Sequence, residues 1–147
     1  MTTYKKATTE DDLRKVFHIR KTVFVEEQGV ALKDEFDQYD TLNEQCEHIL
    51  VFHQNEPVGT GRLRSVDGFA KLERICLLAP YRKFGLGKVI IQSLEEIAKE
   101  KGLAKAKLHG QTHAEGFYQK LGYQTASSIF MEDGIPHVLM IKKFSAN

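Results

Sequence analysis

Leu77-Leu78-Ala79-Pro80-Tyr81-Arg82-Lys83-Phe84-Gly85-Leu86-Gly87-Lys88 is the stretch of sequence that decides the fold. It joins an apolar run typical of a β-strand to an amphipathic helix through an Arg-x-x-Gly-x-Gly turn. Such a turn directs backbone N–H groups and a helix N-terminus at one point, which attracts phosphate. With the Gly-Phe-Tyr-x-x-x-Gly-Tyr segment from Gly116 to Tyr123, it predicts an enzyme that holds a pyrophosphate-bearing cofactor.

The composition is that of a globular protein. A chain of 147 residues predicts one domain over residues 1–147. No apolar run approaches the roughly 20 residues that span a bilayer, so we expect no membrane partner. The N-terminus, Met1 to Lys6, leads into polar residues rather than the apolar core of a secretory signal, and a cytoplasmic location is expected. The net charge of +1 favours no nucleic-acid partner.

Charge is nevertheless distributed unevenly along the chain. Residues 26–47 are strongly acidic, whereas residues 82–107 are rich in lysine and arginine. This division suits an anionic ligand near the second segment and a cationic group near the first, although two solvated surfaces would look the same. Cys46 and Cys76 lie far apart and lack metal-type spacing, so we expect buried, reduced thiols. No pair of histidines has good metal spacing either, and no metal is predicted.

The periodicity predicts an α/β (α+β) fold with the order β-α-β-β-β-α-β-α-β-β. The first helix has Thr9 as its N-cap and runs to about Gln28, with Gly29 as its stop. Residues 30–45 are predicted to form a long loop, with or without a helical turn, of the kind that serves as a lid or binding segment. The remaining elements are six further strands and two helices: strands 48–52, 58–66 and 69–78, helix 86–101, strand 104–109, helix 112–121, and strands 123–131 and 137–144.

This order, with these motifs, resembles the GNAT superfamily of acetyl-CoA-dependent N-acyltransferases. Arg82, Gly85 and Gly87 fill the family's Gln/Arg-x-x-Gly-x-Gly/Ala turn. Further along, the family commonly shows Asn-x-x-Ala-x-x-x-Tyr-x-x-x-Gly-Phe/Tyr, and here Gln111 stands where Asn is usual. Ala114, Tyr118, Gly122 and Tyr123 match that second motif. The segments 23–30 and 131–137 look like those of a bacterial subgroup of small predicted acetyltransferases, whose name supplies no substrate.

The resemblance implies a mixed, mostly antiparallel central sheet flanked by helices, and acetyl-CoA as the co-substrate. Backbone N–H groups of residues 82–88 would hold the pyrophosphate, while Arg82 would either contact phosphate or stabilise the turn. The fourth strand would offer its backbone to the pantetheine arm, which runs into an opening between the fourth and fifth strands. The residues implied at the cofactor are Ile75, Cys76, Leu77, Arg82, Lys83, Phe84, Gly85, Leu86, Gly87, Lys88, Phe117 and Lys120.

Acyl transfer to an amine requires a neutral nucleophile, so a general base is expected. Glu73, nine positions before Arg82, is the leading candidate because many family members place a catalytic Glu there. A surface Glu paired with a cation is the structural alternative. His109, at the end of the fifth strand, is a second candidate base. Tyr118 matches the family tyrosine that protonates the leaving thiolate, or it only orients the sulfur.

The acceptor is expected to be a small metabolite with a primary amine. Glu26 and Glu27 would bind a cationic amine, whereas Arg62 would bind an anionic group, and the sequence does not rank the two. A non-catalytic acyl-CoA sensor and a protein or peptide acetyltransferase remain alternatives. A nucleotide-phosphate binder is disfavoured because Gly87 is followed by Lys88-Val89 rather than the Walker Lys-Ser/Thr. Homodimers through the last strands are common in the family, and a homodimer stays open.

Overall fold

The structure is a computed structural model that describes residues 1–43 and 45–144. Glu44, which belongs to the predicted acidic segment, lies outside the described residues. The strands are β1 (Thr2–Lys6), β2 (Cys46–His53), β3 (Glu56–Val66), β4 (Phe69–Leu77), β5 (Lys105–Gln111), β6 (Gln124–Thr125), β7 (Phe130–Glu132) and β8 (Ile135–Lys143). The α-helices are α1 (Glu10–Arg20), α2 (Leu32–Glu35), α3 (Leu86–Glu100) and α4 (Glu115–Lys120). A π-helix (Lys21–Glu27) follows α1, and 3-10 helices cover Ala79–Phe84 and Thr112–Ala114.

The strands form one mixed sheet in the order β1-β2-β3-β4-β5-β8-β6, with β7 also paired to β8. All pairs are antiparallel except β4 with β5. The predicted fold class, a mostly antiparallel sheet flanked by helices, is therefore confirmed. The parallel pair is connected through α3, as parallel strands require a crossover.

Helices pack on both faces of the sheet because alternate residues of its strands are apolar on both sides. On one face, α3 buries Ile90 and Leu94 against a cluster that includes Ile49 and Val51 of β2. On the other face, Val16 and Ile19 of α1 pack with Leu50 of β2 and Cys76 of β4. Both cysteines are buried and free, and burial raises the pKa of the Cys46 thiol to about 12.

The first helix differs from its prediction beyond residue 20. Thr9 caps it as expected, accepting a hydrogen bond from the Asp12 N–H at 3.1 Å. From Lys21 the chain widens into a π-helix, where the Thr22 hydroxyl donates to the carbonyl of His18 at 2.8 Å. A hydroxyl that takes a helix carbonyl competes with the backbone ladder. Wide turns of this kind often lie at functional sites.

The predicted strand over 123–131 was wrong in extent. The chain forms two short strands, β6 and β7, separated by residues 126–129. The Ser127 hydroxyl accepts the N–H of Leu139 at 2.9 Å, so a side chain replaces the backbone partner that a continuous ladder would supply. The predicted loop over 30–45 contains the short helix α2, and the apolar-to-glycine turn contains the 3-10 helix Ala79–Phe84.

Candidate active site

The sheet opens between β4 and β5. Their parallel pairing covers only Ala70 to Leu72 against Ala106 to Leu108. Beyond Leu72 a bulge places Arg74 and Ile75 opposite Gly61 of β3, as the register shift between Thr60 and Arg62 requires. Bulges bend a strand and increase its twist. As a result, residues 73–77 of β4 have β3 on one side and no described strand on the other.

A cavity of about 390 Å³ fills this opening, which is within the usual range for a small-molecule site. Eight of the predicted site residues line it: Glu27, Glu73, Ile75, Cys76, Leu77, Arg82, His109 and Tyr118. Its other walls come from the π-helix, from the start of the 3-10 helix after β5, and from the β7–β8 hairpin.

The glycine turn lies beside this cavity. Gly85 has φ +70° and ends the 3-10 helix as α3 begins, a left-handed conformation that favours glycine. No described side chain caps α3, so the N–H groups of its first turn remain available to an anion. Leu86 is buried at the start of α3, whereas the side chains of Lys83, Phe84 and Lys88 are exposed.

Arg82 stabilises the turn. Its Nε donates to the Leu77 carbonyl at 3.1 Å, and its terminal nitrogens bind the two carboxylate oxygens of Glu27 at 2.6 and 2.7 Å. The hydrogen bond from Arg82 lowers the pKa of the Glu27 carboxyl. Glu27, predicted to bind a cationic acceptor, therefore ties the π-helix to the glycine turn.

Phe117 of α4 packs against the glycine turn at Gly87. A Cβ added at Gly87 would lie 3.1 Å from the Phe117 ring, so that ring packs over a surface that only glycine leaves open. Phe117 also meets the Tyr118 ring edge-on, with ring centroids 5.1 Å apart. Lys120 is exposed one turn further along α4. The cofactor residues outside the cavity are thus on the turn, on α3 or on α4.

Glu73 lies in a cluster of charged side chains that we call the ion cluster: Arg20, Glu35, Asp37, Asp40, Arg62, Arg64, Lys71, Glu73 and Arg74. Glu73 accepts hydrogen bonds from both Arg62 and Arg64, and Lys71 Nζ is 3.1 Å from its Oε2. Burial alone would raise the pKa of Glu73, but these three cations outweigh it and lower the pKa to about 2. A carboxylate held this way is a poor proton acceptor at neutral pH.

The acid stability of the protein should depend on Glu73. Because its folded-state pKa lies below the ordinary value of 4.5, its contribution to stability is complete above pH 4.5 and is lost as the pH falls toward 2. Urea unfolding of the wild type and Glu73→Gln between pH 6 and pH 2.5 measures this. The difference in unfolding free energy between the two proteins should shrink below pH 4.5, and a constant difference would contradict the assignment.

Arg62 and Glu26 do not reach the cavity. Arg62 is only 2% exposed and donates five hydrogen bonds to Asp37, Asp40 and Glu73, so no donor is left for a ligand. Its predicted contact with an anionic acceptor is therefore corrected to a buried structural role. Glu26 is exposed on the π-helix and is not among the residues that line the cavity.

His109 forms a hydrogen bond that sequence reasoning missed. Its Nδ1 is 2.8 Å from Oε1 of Glu132, on β7. This bond lowers the pKa of the Glu132 carboxyl, which favours the ionised, acceptor-only form. Nδ1 of His109 must then be the donor, and in the neutral ring Nε2 holds a lone pair. No described residue hydrogen-bonds to that nitrogen.

His137 completes the other side of Glu132. Its Nδ1 donates to the Ile135 carbonyl at 2.7 Å, and its Nε2 is 3.6 Å from Glu132 Oε2. Phe130 packs between the imidazoles, edge-on to His109 and stacked on His137. Since Glu132 lies 23 residues from His109, only the pairing of β5, β8 and β7 brings these groups together.

Tyr118 approaches the cavity from α4. A Cβ at Gly110 would lie 3.1 Å from the Tyr118 ring, so the absence of that atom lets the ring pack on β5. The hydroxyl has no hydrogen-bond partner among the described residues, and burial raises its pKa to about 12. The phenol is therefore a proton donor across the physiological pH range.

Two negative findings concern residues 1–43 and 45–144. Within these ranges no three His, Cys, Asp or Glu side chains are grouped as a metal site. Nor does any described helix have the length and apolar character needed to cross a bilayer.

Comparison with known proteins identifies the family. Residues 8–144 match the family described as "Acetyltransferase (GNAT) domain". YyaT of Bacillus subtilis (strain 168), an uncharacterised protein, is 66% identical over 143 residues, which cover 97% of each chain. This identity, nearly end to end, indicates the same fold and family for both.

Solved structures agree. A candidate N-acetyltransferase from Lactobacillus plantarum superimposes with a TM-score of 0.88 at 30% identity, covering 98% of this chain and 99% of that one. The PaiA N-acetyltransferase from Thermoplasma acidophilum, solved in complex with coenzyme A, gives a TM-score of 0.73 at 18% identity over 97% and 99% of the two chains. The second likeness shows the fold alone. From the family match and the first structure, the chain belongs to the GNAT acetyltransferase family and is an acyltransferase.

Proposed function

We propose that the protein is an N-acetyltransferase that moves the acetyl group of acetyl-CoA to a primary amine of a small metabolite. The observation that carries the proposal is the opening between β4 and β5, with a proton acceptor and a proton donor on its walls. His109, hydrogen-bonded to Glu132, lines the opening from β5, and Tyr118 lines it from α4. A binding sensor would not require either group.

The residues of the opening fit acetyl-CoA. The unpaired edge of Ile75 to Leu77 suits the amides of a pantetheine arm, which mimics a strand. The uncapped start of α3 and the side-chain-free surface at Gly85 suit a pyrophosphate. The remaining phosphate is assigned to exposed cations: Lys83 and Lys88 flank the glycine turn, and Lys120 follows Phe117 on α4.

Bound acetyl-CoA would supply an acetyl group activated as a thioester. His109 Nε2 accepts the proton that the amine nitrogen loses as its N–C bond forms, and Glu132 stabilises the resulting imidazolium. The Tyr118 hydroxyl donates a proton to the sulfur as the C–S bond breaks. Glu73 is proposed to hold the ion cluster, and with it the acceptor-side wall, rather than to act as the base.

A two-stage experiment tests this function. Calorimetric titration with acetyl-CoA and desulfo-CoA measures binding, and release of the free thiol from acetyl-CoA measures turnover over a panel of small primary amines. Binding together with amine-dependent thiol release supports the proposal. Binding without turnover of any amine or peptide would instead favour an acyl-CoA sensor, and acetylation of peptides alone would favour a protein acetyltransferase.

Gly87→Val should weaken acetyl-CoA binding at least tenfold. The new side chain meets the Phe117 ring at a distance where even a Cβ is tight, and it projects beside the proposed pyrophosphate position. Calorimetric titration measures the loss. Gly116→Ala is the matched control because no atom lies within 4 Å of a Cβ at that position. Equal affinities in both variants would contradict a phosphate role for the turn.

Tyr118→Phe should lower kcat about 100-fold while the midpoint of urea unfolding changes little. The hydroxyl has no partner among the described residues to lose, so its removal affects the leaving thiolate rather than the fold. Steady-state kinetics and an unfolding curve together decide between the two readings of this tyrosine. A loss confined to KM would favour a residue that only orients the sulfur.

A further inference from the structure

Arg74 interrupts β4 at its bulge. Its φ is +55°, a left-handed conformation that costs free energy for any residue with a Cβ. Such strain concentrates at functional sites, where the surrounding structure maintains it. Arg74 lines the cavity, with its side chain 25% exposed, on the wall formed by β4.

The guanidinium is anchored at one edge only. Nε donates to the Glu35 carbonyl at 3.3 Å and is 3.2 Å from that residue's Oε2. Nη2 is 3.6 Å from the Asp37 carboxylate, beyond a normal hydrogen bond. Neither terminal nitrogen hydrogen-bonds to any residue in the described part of the chain. Arg74 is thus held in position through Nε, while the fork of its guanidinium, Nη1 and Nη2, makes no hydrogen bond to the described residues.

The charges around Arg74 favour the binding of an anion. The ion cluster contains five cationic side chains and four carboxylates, so one positive charge remains uncompensated. The Glu35 oxygen that faces Arg74 is shared with Arg20, so Glu35 compensates the charge of Arg74 only in part. The other arginine of the cavity, Arg82, is already neutralised by Glu27.

We propose that the acceptor carries an anionic oxygen group, a carboxylate or a phosphate, and that the unused fork of Arg74 binds it. Guanidinium forks match such groups bidentately. The inference rests on the proposed N-acetyltransferase function. It places the anion on the β4 wall and the amine near His109 and Glu132, on the wall formed by β5 and β7. The side chain that binds the anionic group of the acceptor is therefore Arg74 rather than Arg62.

Matched acceptors test the proposal. The pairs are β-alanine with propylamine, L-leucine with isopentylamine, and O-phosphoethanolamine with ethanolamine. In at least one pair, kcat/KM for the member that carries the anionic group should exceed that for its counterpart without this group at least tenfold, and the pair concerned distinguishes carboxylate from phosphate. Arg74→Gln should reduce that ratio at least tenfold. Arg14→Gln removes an exposed arginine on α1 and should leave the ratio within twofold.

A wild-type ratio near one in every pair, or an equal loss of both members in Arg74→Gln, overturns the proposal. Arg74→Gly serves as a second variant because glycine relaxes the left-handed backbone, so folding is preserved if the Gln variant fails to fold.

If acetyl-CoA binds but no amine is acetylated, the proposed function has failed. The anion preference is then read from calorimetric titration with N-acetyl-β-alanine, N-acetyl-L-leucine and N-acetyl-O-phosphoethanolamine against the uncharged N-propylacetamide. A preference of at least tenfold for an anionic ligand, abolished by Arg74→Gln, supports the role of Arg74, and equal affinities refute it.

Discussion

Replacing His109 with glutamine should lower kcat between 100- and 10,000-fold, with little change in acetyl-CoA affinity. Glutamine keeps a polar side chain of similar reach, but its amide does not accept a proton at neutral pH. General bases contribute about this much to catalysed rates. Steady-state kinetics with the best amine of the panel, beside calorimetric titration with acetyl-CoA, separates the chemical step from binding.

Glu132→Gln is a second test of the base, because it changes the hydrogen-bond partner of His109 and leaves the imidazole itself in place. The amide keeps an oxygen that accepts from His109 Nδ1–H and turns its NH2 group toward the Nε2 lone pair of His137, but it has no negative charge to stabilise an imidazolium at His109. Long-range ¹H–¹⁵N spectra of the imidazole should therefore show the Nδ1–H tautomer in both proteins, so that a loss of activity in the variant reports the missing charge rather than a change of tautomer. The same substitution should reduce kcat by at least tenfold.

Two controls frame the result. His18→Gln changes an imidazole on α1, away from the cavity, and should alter kcat less than threefold. Glu73→Gln should reduce stability more than it reduces kcat of the folded fraction, because Glu73 is held by three cations. If His109→Gln retains a third of the wild-type kcat while Glu73→Gln abolishes it, the base is Glu73 and the proposed mechanism is wrong.

Replacing Arg62 with methionine should lower the unfolding free energy by about 3–5 kcal/mol. Arg62 is buried and donates five hydrogen bonds to three carboxylates. Methionine fills much of the volume but leaves Asp37, Asp40 and Glu73 with too few cations in a poorly solvated place. Breaking one partner of a buried ion network costs far more than the network contributes as a whole, because a charge remains without compensation.

Urea unfolding at pH 7 measures this effect, and Arg14→Met is the matched control. Arg14 pairs with Asp11 on the exposed face of α1, where both side chains are more than half exposed. An exposed pair of this kind contributes under about 1 kcal/mol. A loss below about 1 kcal/mol for Arg62→Met would mean that Arg20, Arg64, Lys71 and Arg74 suffice for the carboxylates, and that segment 31–43 is held by other contacts.

The features of the fold that could be predicted from the sequence are those set by local residue patterns. The glycine turn, the Thr9 cap and the amphipathic α3 each follow from residues close together in the chain, and the structure has all of them. The family resemblance, carried by Arg82, Gly85, Gly87 and the tyrosine segment, is confirmed. Tyr118 and His109 both line the cavity, although their chemical roles stay predictions.

What the sequence did not show depends on contacts between distant residues. Glu73 lies on β4 as expected, yet its environment is set by Arg62 and Arg64 across the β3–β4 register. Glu132 falls between the predicted strands 123–131 and 137–144, and its approach to His109 requires β7 to pair with β8 and β8 with β5. The left-handed backbone at Arg74 has no local signal, since arginine is not a residue that favours it.

The short pairing of β4 with β5 divides the sheet into two parts, and we call the three residue pairs that join them the seam. These three pairs hold β1–β4 to β5–β8. Two of them, Ala70 with Ala106 and Leu72 with Leu108, are buried and small or aliphatic, and the third joins the partly exposed Lys71 to Lys107. The molecule is therefore two half-sheets that share one short ladder, with α3 bridging them. Opening of that ladder is expected to widen the cleft without unfolding either half, and a ligand that contacts both halves is expected to stiffen the junction. Amide exchange along the seam thus reports on the separation of the halves, a motion distinct from fraying at the edges of the sheet.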